Sequence, residues 1–294
     1  MKIKLLILSI LSLVLMENLN AQDFEIPEGT KIFYETGIEK IRLDRKMNRL
    51  EKKRVENILD TFLPKAPATI LDVGGGMGVY SFYLAKKGYT VYLIDPVAFN
   101  IEEAKKTGEN QKDFPLAGFQ VGDARKIEMP DNSADVVLFF GPLYHLDEKS
   151  RQIALLEAYR VLKPNGMIFA QGVSKFCTLF NGYFDGKIKD QKMVQEVKNT
   201  LKTNDFEYKS GLFFTHTALE LKNEIEEAGF SQVETLSIEG LGKWIDDEYW
   251  EDEKLREQLL EFLEITQKES SIMGVSSHIM AIGKKINVKL LKIY

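Results

Sequence analysis

The chain has 294 residues, 44% hydrophobic and 28% charged, which suits one large buried core with or without a covering lid. Its 39 basic and 44 acidic residues leave a net charge of −5, and no long basic tract is present to lie on nucleic acid phosphates. The single cysteine, Cys177, excludes an internal disulfide, and His145, His216 and His278 lie too far apart in sequence for zinc-ligand spacing, so no metal is expected.

Lys2 and Lys4 precede an apolar run from Leu5 to Met16, followed by Leu19, Asn20, Ala21 and Gln22. Two readings fit residues 1–21. They form a secretory leader too short to span a bilayer, or Met16 is the true start of a cytoplasmic chain. Residues 22–66 form an N-terminal helical cap, with apolar positions Ile38, Ile41, Leu50, Val55, Ile58 and Leu59 ending at Pro64 and Pro67.

Short apolar runs then alternate with amphipathic segments. Strands are expected at Thr69–Val73, Thr90–Ile94, Gly118–Val121, Ala134–Phe140 and Met167–Gln171. Helices are expected at Val79–Lys87, Asn100–Thr107 and Glu148–Leu162. This rhythm predicts an α/β fold, a doubly wound and mostly parallel sheet, within a domain over residues 67–285. The aromatic stretch 173–217 breaks the rhythm and reads as a lid inserted after the fifth strand. A helix (Ala218–Ala228), a strand (Val233–Ile238), an acidic helical stretch (Asp246–Gln267) and a last strand (His278–Ile282) follow, with 286–294 as a tail.

The strongest chemical signal is Asp72-Val73-Gly74-Gly75-Gly76-Met77-Gly78, where an apolar strand enters a glycine-rich turn that opens a helix. Such a turn lets backbone approach a ligand and aims helix-terminal N–H groups at it. Dinucleotide turns read GxGxxG, whereas Gly74, Gly76 and Gly78 read GxGxG. Asp95 ends the second strand, and a carboxylate there can accept both ribose hydroxyls. Gly122-Asp123-Ala124-Arg125 follows the third strand.

Together these motifs resemble the class I S-adenosylmethionine-dependent methyltransferases, and Gly141-Pro142-Leu143-Tyr144-His145-Leu146 resembles a large bacterial group of small-molecule enzymes within them. The resemblance is specific from about Pro64 to Gly172 and implies a seven-stranded Rossmann-like sheet that binds S-adenosylmethionine. It implies cofactor-binding roles for Asp72, Gly74, Gly75, Gly76, Gly78, Asp95, Pro96, Asp123, Ala124 and Gly141. Asp95 would take the ribose, and Asp123 and Ala124 the adenine edge; Pro96 departs from the pattern by removing an N–H beside that carboxylate.

Methyl transfer from a sulfonium needs in-line alignment and exclusion of water, and a base only where the acceptor loses a proton. His145 is the candidate base, or else a cap for the helix beginning near Asp147. Tyr144 orients the acceptor or faces the sulfonium, or packs under the lid. His216 reads as a solvated cap or an acceptor contact; Tyr34 and Arg42 close the cofactor pocket or lie on a helix surface. Cys177 reads as a packed small hydrophobe. The expected reaction is methylation of O, N or S of a small molecule, with no nucleic acid partner and no stable membrane span. A nicotinamide-dependent oxidoreductase and a non-catalytic cofactor-binding protein are the alternatives. Acceptor identity and oligomeric state are not legible.

Overall fold

A computed structural model describes residues 24, 28–37, 42–43, 48–207 and 212–286. The leader and Met16 readings, Ile38 and Ile41, and the tail from 287 onward lie outside the described residues.

Seven strands form the central sheet. They are β1 (Thr69–Val73), β2 (Thr90–Asp95), β3 (Gly118–Val121), β4 (Ala134–Phe139), β5 (Leu162–Ser174), β8 (Phe230–Ser237) and β9 (His278–Lys285). Pairing gives the order β3-β2-β1-β4-β5-β9-β8, parallel from β3 to β5 and antiparallel at β9 and β8. Two more strands, β6 (Asp205–Glu207) and β7 (Leu212–His216), make a hairpin that raises the total to nine. The fold is therefore the expected α/β class.

Strand periodicity builds two cores from one sheet. Leu71, Val73, Val137 and Phe139 face one side, where they meet Ala154, Leu155 and Ala158 of α5 (Glu148–Val161) and Leu221 and Ile225 of α8 (Ala218–Glu227). Ile70, Val136 and Leu138 face the other side. There they meet α2 (Asn48–Phe62), α3 (Val79–Lys86) and α4 (Ala98–Glu109). Burial on both faces explains the near-continuous apolar strands, and each fully buried Leu, Ile or Val contributes about 1.5–3 kcal/mol. A shorter helix, α1 (Glu28–Glu35), precedes α2.

β5 is longer than its apolar run. Leu162 already pairs with Ala134, the chain then turns through Asn165 at φ 68°, and regular pairing resumes at Met167 with Val136. The Pro164-Asn165-Gly166 turn is thus a bulge within the strand.

Residues 175–217 hold α6 (Cys177–Phe184), α7 (Gln191–Thr203) and the β6–β7 hairpin. β9 occupies one edge of β5 from Met167 to Val173, so β7, paired with Val173 and Ser174, takes the other. That edge is free because β4 ends at Phe139, opposite Ala170. The hairpin therefore continues the sheet directly beyond the carboxyl end of β4. The acidic stretch after β8 forms α9 (Glu248–Glu251) and α10 (Glu253–Thr266), with Trp250 buried against Leu50 and Leu263. No described helix is long and apolar enough to cross a membrane.

Candidate active site

The glycine turn after β1 is shaped by two neighbours. Gly74, at φ 71°, packs against Pro142, and a side chain on Gly141 would meet the Gly74 carbonyl oxygen at 2.7 Å. A Cβ on Gly75 would lie 2.5 Å from Cγ of Asp72. The turn is therefore pressed between the Asp72 carboxylate below and the loop after β4 beside it. Gly76, at φ 57°, opens onto the cavity with nothing near its Cβ position.

Asp72 lies at the bottom of this cavity and is fully buried. Its Oδ2 accepts from the Ser81 hydroxyl at 2.7 Å, while Oδ1 is shut off from solvent without a partner. Burial, with Asp95 adding repulsion, pushes its pKa up to about 6. Asp95 ties the turn to β2. Its Oδ2 accepts from the Gly76 N–H at 2.8 Å, and its Oδ1 accepts from the Val97 N–H and the Asn100 amide. Pro96 bridges these contacts without an N–H of its own.

Asp123, also on the cavity lining, is chelated by its own near neighbour. The Arg125 backbone N–H and Nε donate to Oδ1 at 2.8 Å, and Nη2 donates to Oδ2 at 2.7 Å. The Arg125 guanidinium also lies 4.3 Å from the Phe24 ring centroid. Ala124 lines the wall beside it.

Another part of the lining is aromatic. Pro142–His145 forms a 3₁₀ turn, and the Tyr34 hydroxyl lies 2.7 Å from Nε2 of His145. Tyr144 sits edge-on to His145, and Phe213 of β7 stacks on Tyr144 at 6.0 Å. Burial drives the His145 pKa down to about 4, and its Nδ1 is enclosed without a partner. The imidazole is neutral at physiological pH. Asp147, not His145, caps α5, accepting from the Ser150 N–H at 2.8 Å.

One cavity thus gathers Asp72, Gly74, Gly75, Gly76, Asp95, Pro96, Asp123, Ala124, Gly141, Tyr144 and His145, with Tyr34 and Arg42 on its N-terminal wall. Gly78 does not line it. At φ 81° it serves as the N-cap of α3, and a Cβ there would press on Leu93 and Phe82. His216 is also away from the cavity and buried, its Nε2 2.9 Å from Glu224, while Thr217 provides the helix cap expected of it. Of the aromatic residues in the insertion, Phe213 reaches the cavity wall, whereas Tyr183 and Phe184 stay exposed and Phe184 stacks on Trp244.

Sequence reasoning missed a buried polar group beside the cavity. Arg42 donates to Glu51 at 2.7 and 3.3 Å. Nδ1 of His278 lies 2.5 Å from Glu239 Oε1 and 3.9 Å from Glu51 Oε2. Glu51, Glu239 and His278 lie close enough to admit a cation, but Arg42 and the His278 proton already supply two positive charges to offset two carboxylates. Tyr80, on the cavity wall, keeps its hydroxyl buried without a partner. No sequence signal joined these residues, because the contacts form only when α2, the segment just after β8, and β9 meet.

Residues 71–170 match the family model described as a methyltransferase domain. A ubiquinone/menaquinone biosynthesis C-methyltransferase from Ruegeria sp. (strain TM1040) is 32% identical over 114 residues, covering 38% of this chain and 44% of the relative. The matched stretch thus spans less than half of that relative. Among solved structures, a SAM-dependent methyltransferase from Thermotoga maritima superposes with a TM-score of 0.54 at 19% identity, covering 87% of this chain and 99% of the other. The [4+2]-cyclase SpnF superposes with 0.51 at 14%, covering 80% and 81%. Residues 71–170 thus match a methyltransferase domain in sequence, and the sheet has the fold of the solved SAM-dependent methyltransferases.

Proposed function

We propose that the chain binds S-adenosylmethionine in this cavity and transfers its methyl group to O, N or S of a small molecule. One observation carries the reading: three carboxylates from the ends of β1, β2 and β3 meet the Gly74–Gly76 turn in a single cavity. The donor set fits the cofactor. The orphaned Asp72 Oδ1 suits the amino group of the methionine portion, Asp95 the ribose hydroxyls, and Asp123 with Ala124 the adenine edge. When bound, the sulfonium supplies an electrophilic methyl group whose leaving group is a neutral thioether.

The chain's own work is positioning and drying. Gly141 and Pro142 fix the wall beside the turn, while Tyr144, His145 and Phe213 provide an aromatic wall that excludes water. Residues 173–217 serve as the lid, with Phe213 as its inward contact, and α1 with Tyr34 closes the opposite side. A base of pKa near 4 accepts a proton weakly, so His145 orients rather than deprotonates. The cyclase keeps this fold for another reaction, so the fold alone does not fix the chemistry.

Calorimetry with S-adenosylmethionine, S-adenosylhomocysteine and NAD tests the reading. Micromolar binding of both sulfur ligands, lost in Asp95→Ala and absent for NAD, supports it. Binding of neither sulfur ligand sinks it.

A further inference from the structure

We propose that Arg125 selects the base of the bound cofactor. It fixes the Asp123 carboxylate so that one acceptor position, on Oδ2, remains to take a purine amino group and refuse a purine carbonyl. The inference rests on the S-adenosylmethionine reading and deepens it.

The pair stands on a fixed piece of backbone. Asp123 lies just beyond β3, in a turn where the Gly122 N–H donates to the Asp95 carbonyl at 3.1 Å and the Lys126 N–H donates to the Asp123 carbonyl at 3.0 Å. Asp123, Ala124 and Arg125 all line the cavity. The side chains of Asp123 and Arg125 are only 20% and 11% exposed, so the pair is shielded from the solvent that weakens surface ion pairs.

Arg125 holds the carboxylate in two ways. Its Nε and Nη2 donate to Oδ1 and Oδ2 as a fork, which sets the carboxylate plane as a single donor would not. Its backbone N–H takes a second position on Oδ1. An ionised carboxylate offers about four acceptor positions, shared between its two oxygens. Three are filled by these bonds, and the fourth, on Oδ2, has no donor among the described residues. The guanidinium is itself braced by the Phe24 ring, whose centroid lies 4.3 Å away.

A carboxylate so fixed only accepts. The exocyclic amino group of adenine is a donor, whereas the carbonyl that replaces it in hypoxanthine is an acceptor. A carbonyl pressed against Oδ2 sets lone pair against lone pair where water is excluded, and nothing restores the lost hydrogen bond. Released from the fork, Asp123 would turn about its side chain and admit a bridging water, and the preference for an amino group would weaken. Arg125 thus acts through Asp123, as a positioning residue, and need not touch the base.

S-adenosylhomocysteine and S-inosylhomocysteine differ in the base alone, amino against carbonyl. The ratio of their dissociation constants, measured by calorimetry on the full chain, therefore reads the selection. The wild type should favour the adenosyl compound by at least about 100-fold. Arg125→Ala should lose at least about tenfold of that ratio. Arg125→Lys keeps the charge without the fork and should lose about as much; it also serves if Arg125→Ala does not fold. Ala124 is unchanged in both variants, so a moved ratio reports the carboxylate. A wild type that binds both compounds equally overturns the proposal. So does a ratio unmoved in the folded variants, with both ligands weakened alike, because the arginine is then structural. Tighter S-adenosylhomocysteine binding to Arg125→Ala overturns it too, since the arginine would then compete with the base. Failure of the cofactor reading would appear separately, as absence of S-adenosylhomocysteine binding to the wild-type chain.

Discussion

The hydroxyl of Tyr34 and Nε2 of His145 lie 2.7 Å apart across 111 residues of chain. This contact joins the N-terminal helix to the loop after β4 and closes the cavity from two sides. Tyr34→Phe removes one partly buried hydrogen bond. The expected loss is about 1 kcal/mol in urea unfolding, with weaker S-adenosylhomocysteine binding because the N-terminal wall loosens.

Protonation should open the same wall. The His145 pKa is depressed to about 4, below the 6.5 of an unfolded chain. A group depressed on folding contributes stability that is present above 6.5 and lost as pH falls through 4. The full contribution is about 3 kcal/mol. Denaturation midpoints of wild type and His145→Gln, compared from pH 7 to pH 4, should show the wild type losing more; parallel curves would refute this assignment.

Asp72 carries the opposite sign. Its pKa is raised to about 6, so its contribution is present below the unfolded value of about 3.8 and lost as pH rises through 6. Asp72→Asn should therefore stabilise the ligand-free chain at pH 7.5 by about 1–3 kcal/mol while weakening S-adenosylhomocysteine at least tenfold. A variant that is both less stable and equally tight would show that the carboxylate is structural.

The glycines of the turn should separate by what a methyl group meets. Gly141→Ala forces a contact with backbone oxygen at 2.7 Å, which cannot move aside cheaply. About 1–3 kcal/mol of destabilisation is expected, together with displaced cofactor geometry. Gly76→Ala meets nothing and bears only the left-handed strain, about 1 kcal/mol. Melting temperatures should rank them in that order.

Cys177 is buried, and its thiol is pushed up to about 11 by burial first and the Glu239 charge second. Iodoacetamide at pH 8 should leave it unmodified in the native chain, and Cys177→Ser should preserve turnover. Rapid labelling would show that α6 opens.

The sheet was legible because periodicity is local. Thr69–Val73 has the bounds its apolar run implies, since a parallel strand buried on both faces leaves little room for polar residues, and Gly118–Val121 keeps its expected bounds although it lies partly exposed at the sheet edge. The glycines and acids that line the cavity were legible for the same reason, as they sit within a few residues of strand ends. Contacts between distant segments were not. Glu51, Glu239 and His278 are ordinary residues in their own stretches and become a cluster only through the register of β9 on β5 and β8. His216 read as solvent-facing because polar neighbours flank it, yet its place on β7 buries it beside Glu224. The chelation of Asp123 by Arg125 spans two residues, but sequence alone does not say which way the arginine turns.

Ser174 and His216 are register partners on adjacent strands, so the segment between them leaves the sheet and returns at neighbouring points. A segment with its ends so joined can be lengthened, shortened or exchanged at little entropic cost to the rest of the domain. The half of the molecule that forms the glycine turn and its three carboxylates is threaded through four parallel strands and tolerates no such cut. On the proposed lid role, a chimera crossed at Ser174 and His216 is the direct way to ask whether this one segment carries acceptor preference between relatives.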